Sequence, residues 1–197
     1  MKIYDISQEV FSCAVFPGDP APKKQTLAFM KEGSPYNLIS FSMCAHNGTH
    51  VDAPYHFIDE GERVHEINLS RVVGYACVFS HSGTISKEDA ENMLVRAHTL
   101  CPDSPVKLLV KGNAELSLEG AEVFANAKID LYGNESQTVG PENAPMAVHK
   151  VMLGAFVILL EGIRLSHVPE GKYLLSAAPL NLKDAEGAPC RAVLIEL

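Results

Sequence analysis

The sequence has no tryptophan, and only 7% of its residues are aromatic. It has no apolar run near the ~20 residues that cross a bilayer. The longest, Met152 to Leu160, is interrupted by Gly154. Nor is there a block of Lys and Arg: 16 basic residues face 24 acidic ones, for a formal charge of −8. That balance lacks the electrostatic footprint of a nucleic-acid binder or of a protein held to anionic lipid. The five cysteines (Cys13, Cys44, Cys77, Cys101 and Cys190) are odd in number, widely spaced and without a CxxC pair. This disfavours a thiolate zinc site and a disulfide framework. The opening Met1-Lys2-Ile3-Tyr4-Asp5 carries no signal-peptide core. With free thiols, it points to a reducing, cytoplasmic setting. No G-x-S-x-G marks a serine-hydrolase elbow, and no repeat of 20–50 residues is visible.

What is present is an ordinary globular composition. The chain has 197 residues, 47% of them apolar and 20% charged, which suits one domain spanning 1–197. Strands are expected over Met1–Val10, Tyr36–Cys44, Val72–Phe79, Val106–Val110, Ile129–Tyr132, Ala155–Glu161, Lys172–Leu182 and Ala192–Leu197. Phe16-Pro-Gly-Asp-Pro20 reads as a turn. Helices are expected after the Ser86–Asp89 capping box, over Ser117–Ala127, and over Met146–Leu153 with Gly154 as the stop. A polar loop fills Gly133–Pro145. Short strands with scattered helices give an α/β or α+β fold with a mixed sheet and no regular βαβ repeat.

The chemistry concentrates in one segment. Three of the eight histidines fall between His46 and His56, in His46-Asn-Gly-Thr-His50-Val-Asp52-Ala-Pro-Tyr-His56. Gly48 and Pro54 disfavour a helix there. In an extended segment, residues 46, 50, 52 and 56 share parity and project from one face. Three imidazoles and a carboxylate on one face form a ligand set that suits Zn²⁺ or Mn²⁺. Taken alone, His149 reads as a helix-face residue. Glu161, at the end of an apolar strand, is either solvated or aimed into a site. His65, His81, His98 and His167 read as surface residues. Cys44 shares the parity of the histidine segment but reads more simply as a small buried hydrophobe.

His46-Asn-Gly-Thr-His50-Val-Asp52-Ala-Pro54-Tyr-His56-Phe57 resembles the HxGTHxDxPxHF signature of the cyclase family of metal-dependent hydrolases, which includes bacterial kynurenine formamidases and isatin hydrolases. The resemblance extends along most of the chain. Ile3–Ser7, Phe16-Pro-Gly-Asp19, Gly133–Gly140, Ala178-Pro-Leu180 and Gly187-Ala-Pro189-Cys-Arg191 each resemble a family segment. It implies a swivelling β/β/α domain holding one or two divalent ions, zinc or manganese. By resemblance His46, His50 and Asp52 hold one ion, and Asp52 bridges to a second held with His149 and Glu161. His56 is implied as the general acid/base, and Phe16 as a wall of the substrate pocket. Glu135 and Thr138 stand where the family carries Asp and Ser, which bears on the substrate. The implied reaction is hydrolysis of N-formylkynurenine to kynurenine and formate by metal-activated water. The alternatives are opening of a cyclic amide, imide or lactone, and metal binding without catalysis. The family further implies a homodimer or homotetramer, with residues about 1–35 reaching a neighbouring subunit.

Overall fold

A computed structural model describes residues 1–197. In chain order the elements are β1 (Lys2–Asp5), β2 (Lys23–Ala28), β3 (Leu38–Ser42), β4 (His50–Asp52), β5 (Val73–Ser80), β6 (Gly83–Ile85), α1 (Lys87–Leu100), β7 (Lys107–Lys111) and β8 (Ala114–Leu116). There follow α2 (Leu118–Asn126), β9 (Leu131–Asn134), α3 (Met146–Gly154), β10 (Ile158–Glu161), β11 (Gly171–Ser176), β12 (Gly187–Pro189) and β13 (Val193–Glu196). Nine strands form one mixed sheet in the order β1-β13-β11-β5-β7-β9-β10-β4-β12. The expected α/β class with a mixed sheet is what forms.

The centre of the sheet is parallel, from β5 through β7 and β9 to β10. Its strands read as nearly continuous apolar runs because both faces are covered. Leu108, Leu109, Val110, Ile158, Leu159 and Leu160 are all fully buried. Parity sorts them. Cys77, Phe79, Leu108, Val110 and Leu159 pack under the three helices, against Met93, Phe124 and Met152. Ala76, Val78, Leu109, Ile158 and Leu160 point the other way, into a core built from strands and loops with Val51, Leu175 and Leu194. The sequence reading placed no regular βαβ pattern here. The structure instead has three successive crossovers, β5-α1-β7, β7-α2-β9 and β9-α3-β10, with all three helices on one face. A small parallel pair, β6 with β8, and the long loop before α3 interrupt the pattern along the chain.

Local chemistry explains the helix limits. Ser86 Oγ accepts from Asp89 N while Asp89 Oδ2 accepts from Ser86 N, the expected capping box. Ser117 caps α2 through Gly120 N. Gly154 ends α3 in helical conformation, and the left-handed residue that turns the chain is Phe156, with φ of 63°. Several expected strands are shorter than the pattern suggested. The first stops at Asp5, the one before the C-terminal loop at Ser176.

Tyr36–Cys44 contains β3, paired antiparallel with β2 in a ribbon outside the main sheet. Its alternation faces no core. Leu38, Ile39 and Phe41 are all exposed, and Ile39, Phe41 and Met43 line an apolar groove of about 430 Å³ with Phe11 and Leu180.

Candidate active site

The site forms where β10 meets β4. The two strands are antiparallel with Leu159 opposite Asp52 and Glu161 opposite His50. Residues directly opposite share a face, so His50, Asp52 and Glu161 emerge together on the helix side. α3 lies over that face and lowers His149 onto it. Only His50–Asp52 is strand. The segment 46–56 is therefore not the single extended run that parity assumed. His46 arrives from a turn in which Asn47 Oδ1 accepts from Cys44 N and Gly48 has φ of +66°. His56 arrives from a single 3-10 turn, Pro54–His56. Four side chains still converge, by three kinds of local structure.

The distances define two overlapping groups. In the first, His46 Nδ1 lies 2.9 Å and His50 Nε2 3.3 Å from Asp52 Oδ1. In the second, His149 Nε2 lies 3.2 Å from Glu161 Oε1 and 3.7 Å from Asp52 Oδ2. Asp52 belongs to both, so His46/His50/Asp52 and Asp52/His149/Glu161 each form a set able to surround a cation. His50 Nε2 is also 3.4 Å from Glu161 Oε2. Main-chain groups hold this frame: Val139 N donates to Glu161 Oε1, and the Nδ1 atoms of His50 and His149 meet the carbonyls of Gly48 and Pro145.

Charge is dense here. Burial disfavours ionised Asp52, but His46 and His50 override it and hold its pKa well below the usual carboxylate range. Burial likewise opposes the charged form of His50, yet Asp52 and Glu161 raise its pKa well above normal. For His149 the same contest, won by Glu161, ends at about 9. His46 is raised by Asp52 against its burial. His56 goes the other way: burial lowers it, and the imidazoles of His46 and His149 add to the effect.

A cavity of about 270 Å³ opens over these groups, walled by Phe16, Asp19, Phe57, Gln137 and Thr138. The Phe57 ring lies 4.9 Å from that of His149. His56 stacks on His46 with centroids 4.2 Å apart. All the singled-out residues (Phe16, His46, His50, His56, His149 and Glu161) line this one cavity, with Asp52 buried behind them. The larger groove beside β3 holds no titratable cluster of this kind.

Several expectations shift. Glu135 does not face the cavity: its carboxylate accepts from Gly112 N and Leu165 N, clamping two loops. That departure from the family pattern bears on the scaffold. Thr138 does face the cavity, with its Oγ1 buried and unpartnered. Cys44 is half-buried, its Sγ 3.7 Å from Asp19 Oδ2 in the cavity wall. Asp19 and Gln137 were not singled out as site residues, although both lie in segments that resemble the family, Phe16–Asp19 and Gly133–Gly140. Gln137 ties its loop to the histidine segment, donating to the carbonyls of His46 and Gly48. It also accepts from Gln8, which in turn donates to Gly162 O. Gly162 has φ of +67°, and a Cβ there would lie 2.3 Å from both Gln137 Oε1 and Gly48 O. Among the histidines set aside, His98 and His167 are exposed, and His65 accepts from Asp184 N.

A mixed α/β sheet carrying a buried centre of three histidines and two carboxylates defines the class of protein. Within that class the chain belongs to the cyclase family, whose model, described as putative cyclase, matches residues 4–141. A kynurenine formamidase of Erythrobacter litoralis is 31% identical over 207 residues, covering 100% of this chain and 94% of that one. A kynurenine formamidase of Bacillus cereus is 32% identical over 205 residues, covering 96% and 95%. The solved structure of a protein from Bacillus stearothermophilus described as a predicted metal-dependent hydrolase superimposes with a TM-score of 0.80 at 28% identity, over 98% of this chain and 97% of that one. Isatin hydrolase A of Ralstonia solanacearum shares the fold, with a TM-score of 0.80 at 19% identity over 99% and 92%.

Proposed function

We propose that this chain is a metal-dependent hydrolase of a non-peptide carbon–nitrogen bond, acting as an arylformamidase on N-formylkynurenine. The observation that carries the reading is the sharing of Asp52 between two ligand sets at the base of an aromatic-walled cavity. Full-length similarity to kynurenine formamidases supports the choice of substrate.

The residues fit a cation. His50 Nε2 and Asp52 Oδ2 are buried with no hydrogen-bond partner. Leaving such groups unsatisfied costs about 1–3 kcal/mol each, and a divalent ion would give each a partner. Imidazoles mixed with carboxylates suit Zn²⁺ or Mn²⁺. His46, His50 and Asp52 would hold one ion, and Asp52, His149 and Glu161 a second. The ion supplies Lewis acidity to a carbonyl and to a water.

The chain supplies the rest. Burial lowers the pKa of His56, which favours its neutral form. His56 can take a proton and return it to the leaving amine nitrogen. Phe16 and Phe57 offer flat apolar walls to the aryl ring. The apolar residues exposed on β2 and β3 (Leu27, Leu38, Ile39 and Phe41) support a homodimer or homotetramer assembled through the N-terminal third. Sedimentation of the intact protein measures that directly. No helix is long and apolar enough to cross a membrane, and cysteines without a pairing pattern suit the cytoplasm.

The test is to strip the protein of metal, restore Zn²⁺ or Mn²⁺ in parallel, and follow release of kynurenine. Metal-restored turnover with kcat/KM above ~10⁴ M⁻¹s⁻¹ is expected. Bound metal without such turnover would turn the search to cyclic amides, imides and lactones, for which the flat cavity is also suited. No hydrolysis of either class would leave a metal-binding protein.

A further inference from the structure

Each histidine around Asp52 has one ring nitrogen facing the centre and the other occupied outside it. For His50 and His149 the outer partner is a main-chain carbonyl, Gly48 O at 3.0 Å and Pro145 O at 2.9 Å. His46 differs. Its inner atom is Nδ1, and its outer atom, Nε2, meets a side chain: Glu186 Oε1 at 3.3 Å. The Glu186 side chain is 41% exposed, but its backbone is fixed. Glu186 O accepts from Ala53 N at 2.9 Å, and Ala185 O accepts from Val64 N at 2.9 Å.

The next residue adds a second observation. Gly187 opens β12 directly opposite Asp52. A Cβ on it would lie 2.7 Å from His46 Cε1 and 3.1 Å from Nε2. The His46 ring is thus clasped on its outer edge. Gly187 gives it room and Glu186 takes its N–H.

We propose that Glu186 is a positioning residue for the cation centre: by accepting the Nε2 proton of His46 it fixes the tautomer whose Nδ1 lone pair is free for a cation held with Asp52. It acts through His46 and touches neither cation nor substrate. Because His46 stacks on His56, the same clasp sets where His56 sits. This role rests on the metal-site reading above. Outer partners of ligand histidines orient the ring, and their loss typically weakens metal binding by ~10–100-fold.

The test uses the full chain and Zn²⁺ alone. Zn²⁺ affinity is measured by competition with a chelator, and the ring-nitrogen resonances of His46 are read in the Zn²⁺-loaded protein. E186A is expected to lose ~10–100-fold in affinity and to shift the His46 nitrogens. E186Q is expected to recover most of both, because its amide oxygen still accepts the N–H. G187A, which pushes on the ring from the same side, is expected to weaken binding without removing the carboxylate. Thermal melts of the stripped variants separate misfolding from mispositioning. If E186A fails to fold, E186Q against E186D carries the same comparison. Unchanged affinity and unchanged resonances in E186A would overturn the proposal, as would a loss of turnover alone, which would put Glu186 on the substrate. A wild-type chain that binds no Zn²⁺ would overturn the metal-site reading as well, an outcome distinct from either.

Discussion

His149 and Glu161 lie in the base of the cavity with 4% and 3% of their side chains exposed, whereas His46 lies nearer solvent with 14%. The base is held by main-chain groups, Pro145 O at the start of α3 and Val139 N in the loop before it. The outer part is held by side chains, Glu186 on His46 and His46 on His56. The difference teaches how one site combines two demands. The densest charge needs a rigid frame, because a buried charge without its partner is expensive. The groups nearer the cavity mouth rest on a partner half in water.

Asp52 joins the two parts, so its loss breaks the comparison outright. Asp52→Asn is expected to remove cation binding at both positions and to cut turnover by at least ~10³, the scale of several kcal/mol of lost Lewis-acid stabilisation. Metal content and steady-state rates measured on one sample check this. Retention of one tightly bound ion would show that the two ligand sets are independent. His56→Ala should lower turnover by ~10²–10⁴ while leaving metal content unchanged. A coupled loss of metal would assign His56 to the frame instead.

The base should also respond to pH with a definite sign. The pKa of His149 is about 9 in the fold, against ~6.5 in an unfolded chain. Its contribution to the stability of stripped protein is fully present below pH ~6.5 and lost as pH rises through about 9. Cation affinity should move oppositely over that window, because fewer protons must leave. Thermal melts of stripped protein should therefore fall from pH 6.5 to 9 while chelator-measured affinity climbs. Parallel trends would contradict the assignment of the raised pKa. The smallest effect belongs to the cavity wall: Phe16→Ala should raise KM by about 5–30-fold through ~1–2 kcal/mol of lost ring contact, with kcat less changed.

The two parts also differed in how much the sequence revealed. The histidine segment could be read because His46, His50, Asp52 and His56 fall within eleven residues. Parity was a sound argument only for His50 and Asp52, which share β4; the turn at Asn47 and the 3-10 turn after Ala53 deliver the other two. His149 and Glu161 have no local pattern. They meet because α3 covers the strand that follows it, a long-range fact that reached the sequence reading only through the family resemblance. The parallel centre was legible as apolar runs. β2, β6, β8 and β12 were not. β2 buries no face, β6 and β8 have three residues each, and β12 includes Pro189. Ile39 and Phe41 gave a true strand signal, but their apolar face looks onto a groove.

At Gly162, the carbonyl of Gly48, the Gln137 amide and the Gln8 amide all come within 2.7 Å of where a first side-chain carbon would sit. Three distant stretches of chain meet on this position. In a saturation library it should therefore accept almost no replacement, standing beside Asp52 as one of the sites where genetic drift is halted. Its intolerance would come from geometry alone.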